Sequence, residues 1–200
     1  MRMPAVRFVS ALVIAVAPCF SSAAAAQSFG GKGGYNTANV SFEEDRSGLS
    51  TTAEPSFVVG GLFNVPLSGR FDLQVEGLYS KRVTKFEEII KDSLTYIEIP
   101  MLARYRLMTR PSWRVHVVGG AVYARLIDAR ETFSGSSEDI TDLIEPNDLA
   151  ASIGGDVEWK GRWVFDFRYL YGLTEVYAEP GSLFSARQKS IQITAGYRIR

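Results

Sequence analysis

Cysteine is almost missing from this chain of 200 residues: Cys19 is the only one. It sits in the apolar opening stretch, and nothing after it can form a disulfide framework or a thiolate metal site. Histidine is as scarce, with His116 alone, which leaves little for a transition-metal centre. An excess of one charge is missing too. Lys and Arg together number 22, as do Asp and Glu, so there is no electropositive footprint for nucleic acid. Beyond residue 26 no apolar run is long enough for a transmembrane helix. If this part of the chain enters a membrane, it must do so as a closed β-barrel, because only helices and barrels satisfy their backbone groups in lipid.

The opening residues set the compartment. Arg2 and Arg7 are basic, residues 8–20 are apolar, and Ala24, Ala25 and Ala26 precede Gln27. This order reads as a secretory signal peptide over 1–26, too short and wrongly flanked for a spanning helix. Cys19 admits a lipoprotein reading, but Pro18 stands where that motif wants a small residue; a cysteine lost with the signal is the expectation. Residues 27–200 would form one domain. They carry 20 basic and 22 acidic residues, a net charge of −2 with His116 neutral.

What is abundant is alternation. In 163–171 the residues Trp163, Phe165, Phe167, Tyr169 and Tyr171 alternate with Val164, Asp166, Arg168 and Leu170. A helix would scatter these rings, whereas a strand puts all five on one face. The same parity recurs around Phe71 to Ser80, Thr95 to Tyr105, Trp113 to Tyr123, Ala151 to Trp159 and Ile191 to Ile199. Two less clean segments, 33–42 and 56–65, bring the count to eight strands. The connections 67–70, 108–112 and 160–162 are short. Those at 43–55, 82–93, 128–147 and 173–189 are longer and polar, and short alternates with long along the chain. An up-and-down barrel with short periplasmic turns and long outer loops has this order, with strands of about ten residues crossing at a tilt.

Parity alone does not say which face points outward, and a soluble lipocalin-like barrel remains the other reading. Two features favour lipid. The polar faces mix Gly, Ser and Thr with a few charges and have almost no Lys. The apolar faces place Tyr79, Tyr105, Trp113, Tyr123, Trp159, Trp163, Tyr171 and Tyr197 near strand ends, as interfacial girdles require. The expected fold is therefore all-β: an eight-stranded antiparallel up-and-down transmembrane β-barrel.

The segment Tyr96-Ile97-Glu98-Ile99-Pro100-Met101-Leu102-Ala103-Arg104-Tyr105 resembles a strand characteristic of the PorT-like outer-membrane β-barrel domain family. Residues 31–36, 73–79, 117–120, 168–173 and 193–198 resemble other strands of that family in order. The resemblance covers nearly all of 27–200. It implies an eight-stranded outer-membrane barrel and no single activity. One departure is the ending Tyr197-Arg198-Ile199-Arg200, where such barrels usually finish on an aromatic residue read by the insertion machinery; Tyr197 would serve instead.

With the apolar faces outward, Glu76, Glu98, Arg104, Arg114, Asp156, Glu158, Asp166, Arg168 and Arg198 point into the barrel. Eight strands leave room only for side chains, and charges buried there must pair. The cluster Glu76, Glu98, Arg104, Asp166, Arg168 and Arg198 is expected to form a structural plug, with a gate or narrow ion path as the functional alternative. Glu98 is expected to pair with Arg168 or Arg198. Pro100 leaves a gap in the ladder and predicts a bulge or kink. His116 lies on the polar face, where Val118 occupies the position two residues on that a lipid-trimming enzyme would give to serine; a filling or hydrogen-bonding role follows.

Residues 30–34 are glycine-rich around Lys32 but lack the ending of a phosphate loop and lead into a strand, so they ease interior crowding. The acids Glu138, Asp139, Asp142, Glu145 and Asp148 lack the EF-hand order and read as a solvated loop, with divalent-cation binding as the alternative. Residues 86–91 could extend a hairpin or form one helical turn.

The function expected from the sequence is a small outer-membrane barrel with a structural or interaction role in the envelope, without catalysis, cofactor or metal. Its partners would be outer-membrane lipid and lipopolysaccharide, together with the barrel-insertion machinery, and it would be a monomer. A narrow passive pore is the alternative. A soluble periplasmic carrier and a lipid A-modifying enzyme follow.

Overall fold

The computed structural model describes residues 27–42, 51–86, 90–133, 136–174 and 186–199. The signal segment 1–26, with Cys19, lies outside the described residues. Eight strands form one antiparallel ring: β1 Ser28–Phe42, β2 Thr51–Ser68, β3 Phe71–Phe86, β4 Ile90–Thr109, β5 Trp113–Phe133, β7 Asn147–Trp159, β8 Trp163–Gly172 and β9 Ala186–Ile199. Each strand pairs with the next in the ring, and β9 returns to β1 along a register from Phe29↔Ile199 to Phe42↔Ala186. A ninth strand, β6 Ser136–Asp139, adds a short exposed pairing to the end of β5 and takes no part in the ring.

Side-chain parity builds the two surfaces. Phe165, Phe167 and Ile193 are each about half exposed on the outside, while Asp166, Arg168, Gln192 and Thr194 between them are buried inside. This is a soluble fold turned inside out, and it matches a wall facing hydrocarbon. Aromatic pairs occupy the borders: Trp113 with Trp159 and Trp163 with Tyr197 at the short-turn end, and Phe57 stacked on Tyr79 at the other. The interior also holds an aliphatic share. Val58 and Leu62 from β2 point inward, beside the outward Phe57, Val59 and Phe63, which explains why 56–65 looked apolar on both faces.

Three expectations need correction. The outer connections are narrower than read, because β3 continues to Phe86, β4 starts at Ile90 and β5 runs to Phe133. There hydropathy alternation fades while the ladder continues. Phe86 accordingly stands opposite Ile90 and Lys85 opposite Lys91, as a hairpin requires, while 87–89 lie outside the described residues. Second, the connection 128–147 is not plain loop: it contains the end of β5, then β6 and a single 3₁₀ turn at Thr141–Leu143.

Third, no bulge marks Pro100. The β3–β4 ladder skips the pairs Glu76–Pro100 and Gly77–Ile99 but keeps its register on both sides. One register shift of the β2–β3 ladder falls instead between Glu54 and Val58, around Pro55, where three β2 residues stand against two of β3.

Candidate functional site

The barrel interior gathers the titratable side chains into three levels. At the outer level Arg82 of β3 reaches across to β4 and β7. Its guanidinium donates to Glu98 at 2.7 Å and to Asp148 at 3.0 Å. It also contacts Gln188 of β9 and lies over the Tyr96 ring, 4.4 Å from the centroid. Gln192 donates to the second Glu98 oxygen at 3.0 Å.

At the middle level Arg168 grips Glu76 with two nitrogens, at 2.8 and 2.6 Å, and donates through Nε to Asp166 at 2.9 Å. Lys32 joins the same carboxylates, 3.2 Å from Glu76 and 3.6 Å from Asp166. At the inner level Arg104 makes a two-pronged contact with Asp156, at 2.8 and 2.7 Å, and also reaches Asn64 and Asp72. Arg198 donates to Glu158 at 3.1 Å and to Gln74 at 2.7 Å. Gln74 in turn donates to Glu76, so the inner and middle levels are joined.

The charges balance. Among the described residues, five buried cations (Lys32, Arg82, Arg104, Arg168, Arg198) face seven buried carboxylates. Arg106 and Arg114, part-exposed at the inner mouth, contact Asp72 and Glu158 and supply the remaining two positive charges. With His116 neutral the interior carries no net charge. That balance is what a low-dielectric setting demands, since each ion left unpaired would cost several kcal/mol, on the order given for buried ions.

The interior receives every residue of the sequence-read cluster, but the pairing differs. Glu98 does not meet Arg168 or Arg198; Arg82 holds it. Glu76 and Asp166 share Arg168, and Arg104 and Arg198 lie one level lower. Four participants were missed. In the sequence Arg82 falls within the connection 82–93, Asp148 in the acidic loop and Lys32 among glycines, and Asp72 is not among the named interior charges. The signal was parity carried past the girdle: Glu76, Ser80 and Arg82 share one face of β3, and Lys32 and Asn36 share one face of β1. Gly30 and Gly34 lie on that inner face, where a Cβ would come within 2.1 Å of the β9 carbonyls of Tyr197 and Ile193. Close backbone approach accounts for these two.

His116 is buried, and its Nδ1 lies 2.9 Å from Asp156 and 3.1 Å from Arg104. A guanidinium only donates and an ionised carboxylate only accepts, so Nδ1 either takes a hydrogen from Arg104 or gives one to Asp156, according to the ring's tautomer. Both partners are charged groups. Of the acidic loop, Asp148 has left for the interior and Asp139 accepts the Thr141 amide at 2.9 Å. Among the described residues no group of three or more His, Cys, Asp or Glu is placed to hold a metal ion.

Outside the membrane band, Asp92 of β4 faces Glu131 of β5. Burial, and then the Glu131 charge, push its carboxyl up to about 6. Glu54 goes the other way, held below the usual carboxylate range by Lys85 and Lys91.

Comparison with known proteins places this geometry. The sequence profile described as "Outer membrane protein beta-barrel domain" matches residues 24–178. No curated protein matches the sequence significantly. Among solved structures, Neisserial surface protein A superposes with a TM-score of 0.51 at 13% identity, covering 86% of this chain and 96% of that one. Ail, the attachment invasion locus protein of Yersinia pestis, gives 0.46 at 14% identity, over 86% and 98%. OprG from Pseudomonas aeruginosa gives 0.46 at 13%, over 86% and 96%.

Proposed function

Because the chain belongs to the outer membrane protein β-barrel domain family, we propose that it is a plugged barrel with a structural or interaction role in the outer membrane, without catalytic activity. The observation that carries this reading is the charge-neutral ion network, which spans the lumen at three levels with Glu98, Arg104 and Arg168 fully buried. Eight strands leave a lumen that side chains fill. Function then falls to the surfaces: the lipid-facing wall, which meets outer-membrane lipid and lipopolysaccharide, and the outer hairpins, which offer partners a polar edge. The protein acts as a monomer. Within the family, residues 96–105 support grouping with the PorT-like barrels.

Planar-bilayer recording tests the plug. The wild-type protein should give no single-channel steps, and steps of uniform size would establish the narrow pore instead. One observation favours that second reading. Arg82 Nε, Arg198 Nε and Ser152 Oγ are buried with no protein partner, and a file of such groups could line a narrow ion path. The same recording decides between the two.

A further inference from the structure

The inner rim differs from the rest of the surface in carrying one sign of charge. Its three turns contribute Arg70, Arg110, Lys160 and Arg162, all exposed, and the carboxylates nearby, Asp72 and Glu158, are turned inward and paired. The β7–β8 turn is the most specific part. Lys160 and Gly161 both have positive φ, 51° and 69°, and the Arg162 amide donates to the Trp159 carbonyl at 3.1 Å. This is a type I′ turn, whose first central position ordinarily takes Asn, Asp or Gly. A lysine is kept there. Its Nζ lies over the Trp159 ring, 4.8 Å from the centroid, and Arg162 donates to the Tyr197 hydroxyl at 3.1 Å. A pocket of about 320 Å³ opens between Lys160, Arg162 and Tyr197.

A second hollow, about 510 Å³, is sunk in the lipid-facing wall above this turn. Its floor is Gly33 and Ala195, which are cross-strand partners. Tyr35, Phe165, Phe167 and Ile193 stand around it, all with exposed rings or side chains. Only one outward-facing row, Trp163 opposite Tyr197, separates it from the basic pocket, a step of two residues or about 7 Å along the strand. Cation pocket, amphipathic ring row and apolar trough thus follow one another along β8 and β9. Phosphate, glycerol and acyl chain follow one another at the same depths in a phospholipid.

We propose that the β7–β8 turn and the hollow above it bind one anionic glycerophospholipid of the periplasmic leaflet. Its phosphate lies between Lys160 and Arg162, and one acyl chain lies over Gly33 and Ala195. The charge of the rim selects the headgroup, and the depth of the trough selects the source, because short turns mark the periplasmic side. The proposal rests on the membrane orientation of the barrel and not on whether its lumen is plugged.

The test uses the full exported chain in phosphatidylcholine vesicles containing a small fraction of phosphatidylglycerol. Bromine is placed on the acyl chains of one lipid or the other, and tryptophan fluorescence is read, since Trp159 and Trp163 border the site. Brominated phosphatidylglycerol should quench more than brominated phosphatidylcholine at equal mole fraction. Losing each cation should cut that preference about fivefold, the factor one basic residue contributes at an anionic surface; Lys160→Gln with Arg162→Gln should therefore nearly abolish it.

Ala195→Phe fills the trough and should reduce the preference with both cations in place. Equal quenching by the two lipids in the wild type overturns the proposal. So does a preference that Ala195→Phe leaves intact, which would reduce the site to diffuse interfacial charge. Cross-linked dimers that Ala195→Phe abolishes would give the hollow to a second copy and overturn it as well. Should the double variant fail to fold, the wild type and Ala195→Phe still decide.

Discussion

The two ends of this barrel are built on different plans. At the inner end the strands stop beside the aromatic border and are joined by two or three residues, as at Gly69 and Arg70 or between Trp159 and Trp163. At the outer end β3, β4 and β5 run well past the Phe57–Tyr79 stack, reaching Phe86, Ile90 and Phe133, and the walls there carry acids and bases together. The inner rim is thus shaped by lipid, which ends abruptly, while the outer hairpins are shaped by ladder hydrogen bonds and ion pairs, which need no lipid. Buried charge nonetheless occurs at both levels, with Arg104 at the inner and Arg82 at the outer.

The largest test of this contrast removes one arginine from each end. Arg104→Leu leaves Asp156, Asp72 and His116 without their central cation and should cost about 3–5 kcal/mol, the range for breaking a buried pair. Urea unfolding followed by the heat-dependent gel shift would measure it. Arg82→Leu should cost less, about 2–3 kcal/mol, because Asp148 is nearer the mouth and partly hydrated. An unchanged midpoint for Arg82→Leu would mean that the outer level merely decorates a barrel held together lower down.

A backbone comparison comes next. Gly34→Ala should destabilise by about 1–3 kcal/mol, as overpacking does, because its Cβ would meet the Ile193 carbonyl at 2.1 Å. Gly77→Ala should be near neutral, since a Cβ there has nothing within 4 Å. Equal effects would remove the account of close strand approach.

The smallest effect is at the outer hairpin. Asp92 ionises near pH 6 when folded and near pH 4 when unfolded, so the folded state holds its proton more tightly. Its stability contribution is present below pH 4 and lost as pH rises through 6. Asp92→Asn should therefore stabilise the hairpin at pH 7–8, by at most about 1 kcal/mol after solvent screening, and do nothing below pH 4. Hydrogen exchange of the β4–β5 amides against pH would show it. A difference independent of pH would show that Glu131 and burial are not what raises the Asp92 carboxyl.

How legible the molecule was in its sequence follows from the same contrast. Within the membrane band each residue faces either lipid or lumen, so the strands and their two faces could be read from parity, as along Trp163 to Tyr171, while which face turns outward needed the aromatic rows near the strand ends and the make-up of the polar faces. Past the band that contrast disappears. Arg82 reads as the start of a loop because polar residues take both parities around it, as in Lys81, Thr84 and Lys85. Pairing was less legible still. Glu98 lies beside Arg82 only because β3 and β4 run antiparallel with Arg82 opposite Leu94 and Leu78 opposite Glu98, and register is not written in single-strand hydropathy. Lys32 was hidden by its glycine neighbours, which read as a composition feature before they read as a strand.

The network's partners are also far apart along the chain. Arg168 and Glu76 are separated by 92 positions, Gln192 and Glu98 by 94, and Arg198 and Gln74 by 124. None of these contacts can form in a nascent hairpin; each requires the first half of the sheet to have met the last. A partly assembled sheet with β1 not yet joined to β9 would therefore expose its charges in the bilayer one by one, and only the seam's closure neutralises them together. The interior acts as a latch that makes insertion all-or-none, and its time course should show a single late step with no long-lived half-inserted species.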